Sequence, residues 1–489
     1  MFSGRRYINI IMLLRVIGWL LLIEAGFMLV PLITSIIYHE SSCLHFLIGL
    51  GATLLSGLIM MSLKPKSREM GKREAILLTS MVWIVFSLFG MIPFLTSHIH
   101  FSFTDAFFET ISGFTTTGLS VLPSIDNLPK SFVIWRCVMQ WIGGMGIILF
   151  TLAVLPMLNY QGGMQLFNAE VSGITHSKLR PRVSSTAKGL WAVYFCLTAA
   201  IIVLLSLSEM DIFDAICYGL STVSTGGFAT SDAGMGAWDS VYIKTVFSVF
   251  MFLGGVNFAL MFQAGTGNFK PLRHNTAFRW YIWMTLIATA VMAISLSLQG
   301  LAENVEDVTI DPLFQAISVM SSTGLTEPDF ARWGSPAACL LVIMMFVGAC
   351  AGSTCGGSKI DRFMVCLKNI KNEFFRIMHP NAVLTVRVNG KGTSSDIVEK
   401  AIMFLIVYVM VIGLAGTIFV CMGMNMMDAY FSALEAISNT GISVSLEGIP
   451  TDYSAFPTLG KWVLSLVMLT GRLELYTVLL LFTPTFWTR

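Results

Sequence analysis

The sequence predicts an all-α polytopic membrane protein, in which four repeats of a span, a half-length helix and a second span follow two additional N-terminal spans. Three observations predict this fold class. The 489 residues are 55% hydrophobic and only 12% charged. Basic and acidic residues alternate between consecutive loops, and one stretch rich in hydroxyl residues and glycine occurs four times. A water-soluble chain of this length would need far more charge to cover its surface.

Apolar runs long enough to cross about 30 Å of hydrocarbon recur along the chain. Two of them, at about 11–38 and 43–63, precede the first repeat. The first is too long and too poorly terminated for a cleavable signal peptide. Later runs at 75–95, 190–208 and 401–422 are equally apolar, so we expect ten spans in all.

No motif predicts an enzyme or a nucleotide site in this chain. The nine cysteines include no C-x-x-C pair and are interpreted as small hydrophobic residues. The run GGMGII (143–148) resembles part of a dinucleotide-binding loop, but no strand precedes it and no acidic residue follows at the required distance. The net charge of +2 indicates nothing about partners, and no nucleic-acid partner is expected.

The charge distribution predicts the orientation of the chain in the bilayer. Most of the 30 lysines and arginines lie in one set of segments, while Asp and Glu dominate the loops between them. Because cytoplasmic loops carry an excess of Lys and Arg, we expect the basic segments and the N-terminus to be cytoplasmic. The basic segments are 5–6, 64–73, 178–188, 270–279 and 359–400, and the acidic loops are 98–130, 209–240, 299–335 and 424–460.

Each acidic loop carries one copy of the hydroxyl- and glycine-rich stretch. In every copy an Asp opens the segment and a Gly follows thirteen residues later, which makes the four copies an internal repeat. Copies 1 to 4 are DAFFETISGFTTTGL (105–119), DAICYGLSTVSTGGF (214–228), DPLFQAISVMSSTGL (311–325) and DAYFSALEAISNTGI (428–442).

Each copy is predicted to be a re-entrant pore helix rather than a span. The Asp suits the N-cap and the positive end of the helix dipole. About ten mostly apolar residues follow, or roughly 15 Å of helix, which is half the membrane. Non-helical backbone at that depth is tolerated only inside protein or beside a wet cavity. Four such segments would surround one central pore with rings of carbonyl oxygens able to replace the hydration shell of K⁺. The alternative is that Ser, Thr and Gly only promote contact between helices.

These features resemble the Trk/Ktr/HKT superfamily of K⁺ uptake proteins, most closely its bacterial TrkH and TrkG branch. The T-x-G triplets TTG, TGG, STG and NTG, and the two extra N-terminal spans, carry a resemblance that covers essentially all 489 residues. It implies K⁺ uptake across the bacterial cytoplasmic membrane, a homodimer, and cytosolic TrkA-type nucleotide-binding subunits on the basic face. It also implies selectivity for K⁺ over Na⁺, because all four copies keep the filter glycine. The implied K⁺-binding filter residues are Thr116, Thr117, Gly118, Thr225, Gly226, Gly227, Ser322, Thr323, Gly324, Asn439, Thr440 and Gly441, with Gly226 in place of a hydroxyl residue.

The resemblance implies a gate below this filter. The run GACAGSTCGGSKIDR (348–362) interrupts the third inner helix, where the family has an intramembrane loop; packing of small residues is the alternative. Arg472 lies inside the last span, where an ionisable residue is a functional candidate and where the family has an Arg that opposes cations. The alternative is a structural pair with Glu474 or another carboxylate, although positions 472 and 474 lie on different helix faces. The predicted gate residues are Gly348, Gly352, Ser353, Thr354, Gly356, Gly357 and Arg472.

Two other kinds of transporter remain open from the sequence. A Na⁺-permeable or H⁺- or Na⁺-coupled symporter could share this architecture. A secondary transporter with inverted repeats would place equivalent loops on opposite sides, whereas all four copies lie in acidic loops. The predicted division is 1–66 for the two additional spans, 67–185 for repeat 1, 186–272 for repeat 2, 273–390 for repeat 3 with its gating loop, and 391–489 for repeat 4.

Overall fold

The structure, a computed structural model, begins with two long packed helices. α1 (Ile10–Ile37) and α2 (Cys43–Ser62) cross where glycines allow close approach, because a Cβ on Gly18 would lie 2.8 Å from the Gly57 carbonyl oxygen. These helices confirm the two predicted N-terminal spans. The structure describes residues 8–65, 70–97, 99, 101–144, 146, 183–238, 240–301, 304–327, 330–442 and 453–487.

Four sets of helices follow, each with an outer helix, a short pore helix and an inner helix. Repeat 1 has outer helix α3 (Lys72–Gly90) with a short α4 (Ile92–Thr96), pore helix α5 (Phe103–Phe114) and inner helix α6 (Lys130–Gly144). Repeat 2 has outer helix α7 (Val183–Ser206), pore helix α8 (Ile212–Val223), and an inner segment made of α9 (Val241–Gly254) and α10 (Phe258–Gly265).

Repeats 3 and 4 follow the same order. After a short α11 (Lys270–His274), repeat 3 has outer helix α12 (Thr276–Gln299), pore helix α13 (Val305–Met320), and an inner segment divided into α14 (Gly334–Val347) and α15 (Ile360–Met378). Two-residue strands β1 (Arg387–Val388) and β2 (Lys391–Gly392) pair antiparallel before repeat 4. Repeat 4 has outer helix α16 (Ser395–Cys421), pore helix α17 (Met426–Ser438), inner helix α18 (Thr458–Arg472), and then short helices α19 (Tyr476–Leu479) and α20 (Pro484–Trp487).

The helices confirm an all-α polytopic membrane protein. In the described residues, six helices are long and apolar enough to cross a bilayer, and eight are if each sharply bent pair counts as one span. Of the ten expected spans, the other two are the inner segments that begin with α6 and α14. α6 ends at Gly144 beside residues outside the described part, and α14 ends at a non-helical loop.

The pore helices are short, as predicted, but their capping differs from the prediction. They contain 12, 12, 16 and 13 residues, fewer than the roughly 20 that a span needs. The repeated Asp was predicted as the N-cap, and this is wrong. It is the third residue of the helix in copies 1, 2 and 4, and it lies two turns into the helix in copy 3. The N-caps of copies 1 to 4 are instead Ser102, Asp211, Asn304 and Asn425.

In two copies the repeated Asp instead joins neighbouring repeats. Asp105 of pore helix α5 accepts a hydrogen bond from Lys461 of inner helix α18, with an N–O distance of 2.5 Å. Asp311 of α13 pairs in the same way with Lys244 of inner helix α9, at 2.7 Å. In both cases the lysine lies near the start of the inner helix of the preceding repeat, so each pair fastens one repeat to the next around the ring.

Candidate functional site

Each pore helix ends in the same turn. The first residue of each triplet has a left-handed φ, namely 54° at Thr116, Thr225 and Ser322 and 51° at Asn439. The N–H of the second residue then donates to the carbonyl oxygen five residues earlier, over 2.9, 2.9, 2.9 and 3.0 Å in copies 1 to 4. This is the hydrogen bond of a Schellman helix ending. A β-branched residue with positive φ is an outlier, and such strain clusters at functional sites.

The four glycines predicted for the filter form a closed ring. A Cβ on Gly118 would lie 2.4 Å from the carbonyl oxygen of Gly226, and one on Gly227 would lie 1.9 Å from that of Thr323. A Cβ on Gly324 would lie 2.7 Å from the Gly441 carbonyl oxygen, and one on Gly441 would lie 2.5 Å from that of Thr117. Each copy therefore packs on the next and copy 4 packs on copy 1. All four copies therefore meet at one ring, as expected for four repeats arranged around one axis.

Glycines in the inner helices allow the ends of the pore helices to lie against them. A Cβ on Gly143 of α6 would lie 1.8 Å from the Phe114 carbonyl oxygen at the end of pore helix α5. In repeat 4, a Cβ on Gly471 would lie 2.1 Å from the Ile437 carbonyl oxygen of α17. In repeats 1 and 4 the inner helix thus supports the turn of the predicted filter from behind, through backbone contacts that only glycine permits.

The small-residue segment of repeat 3 lies directly against these helix ends. Residues 348–359 separate α14 from α15, and Gly348, Gly352 and Gly357 have φ values of 67°, 79° and 75°. The Gly356 N–H donates to Ser322 Oγ over 2.7 Å. The Gly357 N–H donates to the carbonyl oxygen at the end of α17, over 2.9 Å. The segment therefore touches the end of copy 4's pore helix and a predicted filter residue of copy 3.

Further contacts join this segment to repeat 2. Thr354 Oγ1 donates to the carbonyl oxygens of Val223 and Gly254, over 3.2 and 3.3 Å. The Phe258 N–H donates to the Gly352 carbonyl oxygen over 3.0 Å. Ser353 Oγ donates to the Cys350 carbonyl oxygen within the segment, over 2.7 Å. The predicted gate residues of repeat 3 thus all lie in one non-helical segment beneath copies 2, 3 and 4.

Arg472 ends α18 and reaches across to this segment. One guanidinium nitrogen donates to the Thr354 carbonyl oxygen over 2.6 Å, and another donates to the Gly143 carbonyl oxygen over 2.7 Å. Glu474 forms an ion pair with Arg362 of α15. Arg472 therefore bridges the non-helical segment of repeat 3 and the inner helix of repeat 1, and Glu474 pairs with the helix that follows that segment.

Sequence reasoning missed two more interruptions in the inner helices. α9 and α10 are bent by 106° and the pair Thr458–Arg472 and Tyr476–Phe482 by 115°. At the first break, Asn257 caps α10 by accepting from two backbone N–H groups and also donates to the Ala351 carbonyl oxygen over 2.6 Å. The signal was present as Asn257 after the pair Gly254–Gly255, since Asn is a preferred N-cap.

A buried ion pair behind copy 1 was also missed. Arg136 Nε and Glu109 Oε1 are 2.7 Å apart, and both side chains are almost fully buried. Glu109 also accepts from the Val121 N–H over 3.0 Å, so it ties the segment after the filter to the pore helix. Gln315 has the same place in copy 3, where it accepts from the Glu327 N–H over 3.1 Å. An arginine within the apolar run 130–144 was the available signal.

Two charged residues hold the non-helical segment of repeat 3 from its α15 side. Lys359 Nζ donates to the Cys355 carbonyl oxygen, and Asp361 Oδ2 accepts from the Ala351 N–H over 2.8 Å. Lys359 itself has a φ of 72°. No group of three or more His, Cys, Asp or Glu side chains able to hold a metal ion occurs in the part of the chain that the structure describes.

Comparison with known proteins places this arrangement in context. The model of the TrkH family, described as a cation transport protein, matches residues 46–488. The Trk system potassium uptake protein TrkH of Salmonella typhimurium is 34% identical over 479 residues, which are 97% of this chain and 98% of that protein. The Trk system potassium uptake protein TrkG of Escherichia coli is 30% identical, over 96% and 97% of the two chains. The crystal structure of the potassium transporter TrkH from Vibrio parahaemolyticus matches with a TM-score of 0.88 at 32% identity, over 98% of this chain and 100% of that one.

Proposed function

The chain belongs to the TrkH family of cation transport proteins, and from that premise we propose that it takes up K⁺ across the cytoplasmic membrane of a bacterium. It is a transporter and not an enzyme. The curated relatives are named for potassium uptake. The observation that carries the proposal is the closed ring of filter glycines at the ends of four pore helices.

In this proposal K⁺ binds to the backbone of the four triplets. The ring brings four turns of carbonyl-bearing backbone together, and such carbonyl rings can replace the hydration shell of K⁺. The pore helices end at the triplets, so the negative ends of four helix dipoles are also directed there and favour a cation. The hydroxyl side chains support the turns from the side. Thr115 and Thr117 oxygens are 2.8 Å apart in copy 1, as are those of Ser321 and Thr323 in copy 3.

Residues 348–359 and Arg472 form the gate of the proposed pore. The segment lies against the filter, and its glycines allow it to adopt more than one backbone conformation. Arg472 bonds to a carbonyl oxygen of this segment and places a positive charge beside the path of a cation. Conduction would require the segment and the guanidinium to move together, since the hydrogen bond to Thr354 joins them.

The basic segments suit a cytosolic regulatory partner of the TrkA type. The N-terminus would lie on the same, cytoplasmic side of the membrane. Two copies of the chain would form a homodimer. The end of α15 supports this, because Phe374, Ile377 and Met378 are 68%, 72% and 76% exposed there. Lysines and arginines concentrate on the same segment, 359–400. Any nucleotide sensitivity would then come from the partner, because the sequence carries no nucleotide-binding motif. The five-part division into two extra spans and four repeats fits the same arrangement.

A flux assay with purified protein in liposomes tests the proposal. Vesicles loaded with K⁺ or Na⁺, under a clamped pH gradient, should show K⁺ flux that exceeds Na⁺ flux and does not change with the pH gradient. Equal K⁺ and Na⁺ flux would contradict the selective filter. K⁺ flux that stops when the gradient of H⁺ or Na⁺ is removed would instead identify a coupled symporter.

A further inference from the structure

Copy 2 of the filter departs from the other three at one position. Its second triplet residue is Gly226, where the other copies have Thr117, Thr323 and Thr440. In copies 1 and 3 the hydroxyl of that threonine lies 2.8 Å from the hydroxyl two residues earlier. Gly226 contributes no such group, and as a glycine it leaves the backbone of this quarter less restrained.

A side chain from repeat 1 fills the space beside Gly226. Gln140 of inner helix α6 is fully buried, and a Cβ on Gly226 would lie only 2.3 Å from its Cδ. Gln140 Nε2 donates to the Gly226 carbonyl oxygen over 2.7 Å. Its Oε1 accepts from Ser221 Oγ over 2.8 Å and from the Phe228 N–H over 3.2 Å. One amide group therefore holds the residues before, within and after the triplet.

The inner helices show the complementary exchange. Gln140 lies three residues before Gly143, the glycine that backs onto the pore helix of its own repeat. The corresponding residues of the other inner helices, three before Gly254, Gly348 and Gly471, are all methionine, namely Met251, Met345 and Met468. A polar side chain thus occurs on the inner helix of the preceding repeat in the one copy whose second triplet residue is not threonine.

We propose that Gln140 is a positioning residue that sets the ion specificity of copy 2, supplying from repeat 1 the polar support that threonine supplies in the other copies. The inference rests on the proposed K⁺ filter. Its physical basis is the hydrogen bond to the Gly226 carbonyl oxygen, which fixes that oxygen within the ring, where a Cβ on Gly118 would lie 2.4 Å away. The Gly226 N–H is held by its bond to the Ser221 carbonyl oxygen, and the Gln140 amide adds a side-chain donor on the Gly226 carbonyl oxygen.

The test compares Q140M, G226T and the double variant Q140M/G226T in liposomes. The K⁺/Na⁺ flux ratio and the K⁺ concentration at half-maximal flux are measured, together with the unfolding temperature of each purified protein. Q140M should lower the flux ratio by about tenfold, the effect expected from one buried hydrogen bond. G226T should lose flux or fold poorly, because its Cβ would collide with the Gln140 amide. The double variant restores the pairing of methionine with threonine found in the other copies, and should return to within about threefold of the original ratio.

M251L is the matched control, because it changes the equivalent inner-helix residue of repeat 2 without altering a polar group, and its flux ratio should stay at the original value.

An unchanged ratio in Q140M would overturn the inference, even if its unfolding temperature falls, because Gln140 would then serve packing alone. A double variant no better than the single variants would overturn it as well, and this arm decides the matter if Q140M alone does not fold. If the unmodified protein does not select K⁺ over Na⁺, both the proposed function and this inference are overturned. If it does select K⁺ and Q140M has the same flux ratio, only the inference is overturned.

Discussion

Adding one methyl group to a filter glycine should damage ion selection, and three glycines of this chain separate the causes. Gly227 has a φ of 78°, and its added Cβ would lie 1.9 Å from the Thr323 carbonyl oxygen. Gly441 lies outside the positive-φ region, but its Cβ would lie 2.5 Å from the Thr117 carbonyl oxygen. Gly267 has a φ of 91° and nothing within 4 Å of the added atom. G227A therefore tests crowding and backbone strain together, G441A tests crowding alone, and G267A tests backbone strain alone.

The magnitudes follow from these distances. Ordinary van der Waals contact begins at 3.4 Å, so in G227A the two copies must separate by about 1.5 Å at that point. Overpacking of this kind costs about 1–3 kcal/mol, and alanine in the left-handed region costs a further 1–2 kcal/mol or so. Because the displaced atom is a ring carbonyl oxygen, we expect the K⁺/Na⁺ flux ratio to fall by at least about tenfold, which corresponds to 1.4 kcal/mol.

The assay measures K⁺ and Na⁺ flux into liposomes and the unfolding temperature of each variant in detergent. G227A and G441A should both lose selectivity, and G227A should also unfold at a lower temperature than G441A. G267A should lose some stability and keep the original flux ratio. If G227A and G441A keep that ratio while they fold, the ring of glycines does not select the ion. If G267A loses the ratio as well, the effect is a general consequence of strain.

Three further predictions concern charged groups. R472A should raise K⁺ flux by about tenfold or more, because like charges repel by about 4 kcal/mol at 4 Å and an effective dielectric of about 20, and each 1.4 kcal/mol or so is about tenfold in rate; low yield with unchanged flux would indicate a structural role. R136M should destabilise the protein by about 3–5 kcal/mol by leaving Glu109 buried without its charge partner, and E109Q/R136M should recover part of that loss in thermal unfolding. Burial raises the pKa of Asp105, but its hydrogen bonds, above all that from Lys461, hold the pKa below the usual value. The pair therefore contributes stability at neutral pH that is lost as the pH falls through the lowered pKa, and K461M should show a weaker loss of unfolding temperature below about pH 4.

The repeat could be predicted from the sequence because its signals are local. Each copy consists of an Asp, an apolar stretch and a triplet whose Gly lies thirteen residues after the Asp. All of these lie within one short segment, so their pattern indicates its local conformation. The pore helices and the family could be predicted for that reason. The N-cap prediction failed because the residue that starts a helix depends on its neighbours. In copy 1, Ser102 is the residue that caps the helix, since it accepts from the Asp105 N–H over 3.1 Å, and the Asp105 carboxylate bonds Lys461 of another repeat.

What the sequence could not supply is the set of contacts between repeats. The ion pair of Arg136 and Glu109 joins residues 27 apart, and the hydrogen bond from Arg472 to Gly143 joins residues 329 apart. Neither spacing follows a helical period, so no local pattern reveals which partner each arginine takes. The alternative reading of Arg472 considered Glu474 because it is close in sequence, whereas in the folded chain Glu474 pairs with Arg362 of α15.

Differences among the four repeats carry the functional argument further than their similarity does. The four triplets are similar, whereas the four inner segments end differently. In this chain repeat 3 contributes the non-helical segment beneath the filter, repeat 4 the arginine that bonds to it, and repeat 1 the helix that this arginine also reaches. Gln140 and Gly143 lie one helical turn apart on that helix, the first holding the filter of copy 2 and the second accepting from Arg472. In the proposed pore, movement of Arg472 away from Gly143 would therefore act on α6 within one turn of the contact between Gln140 and copy 2.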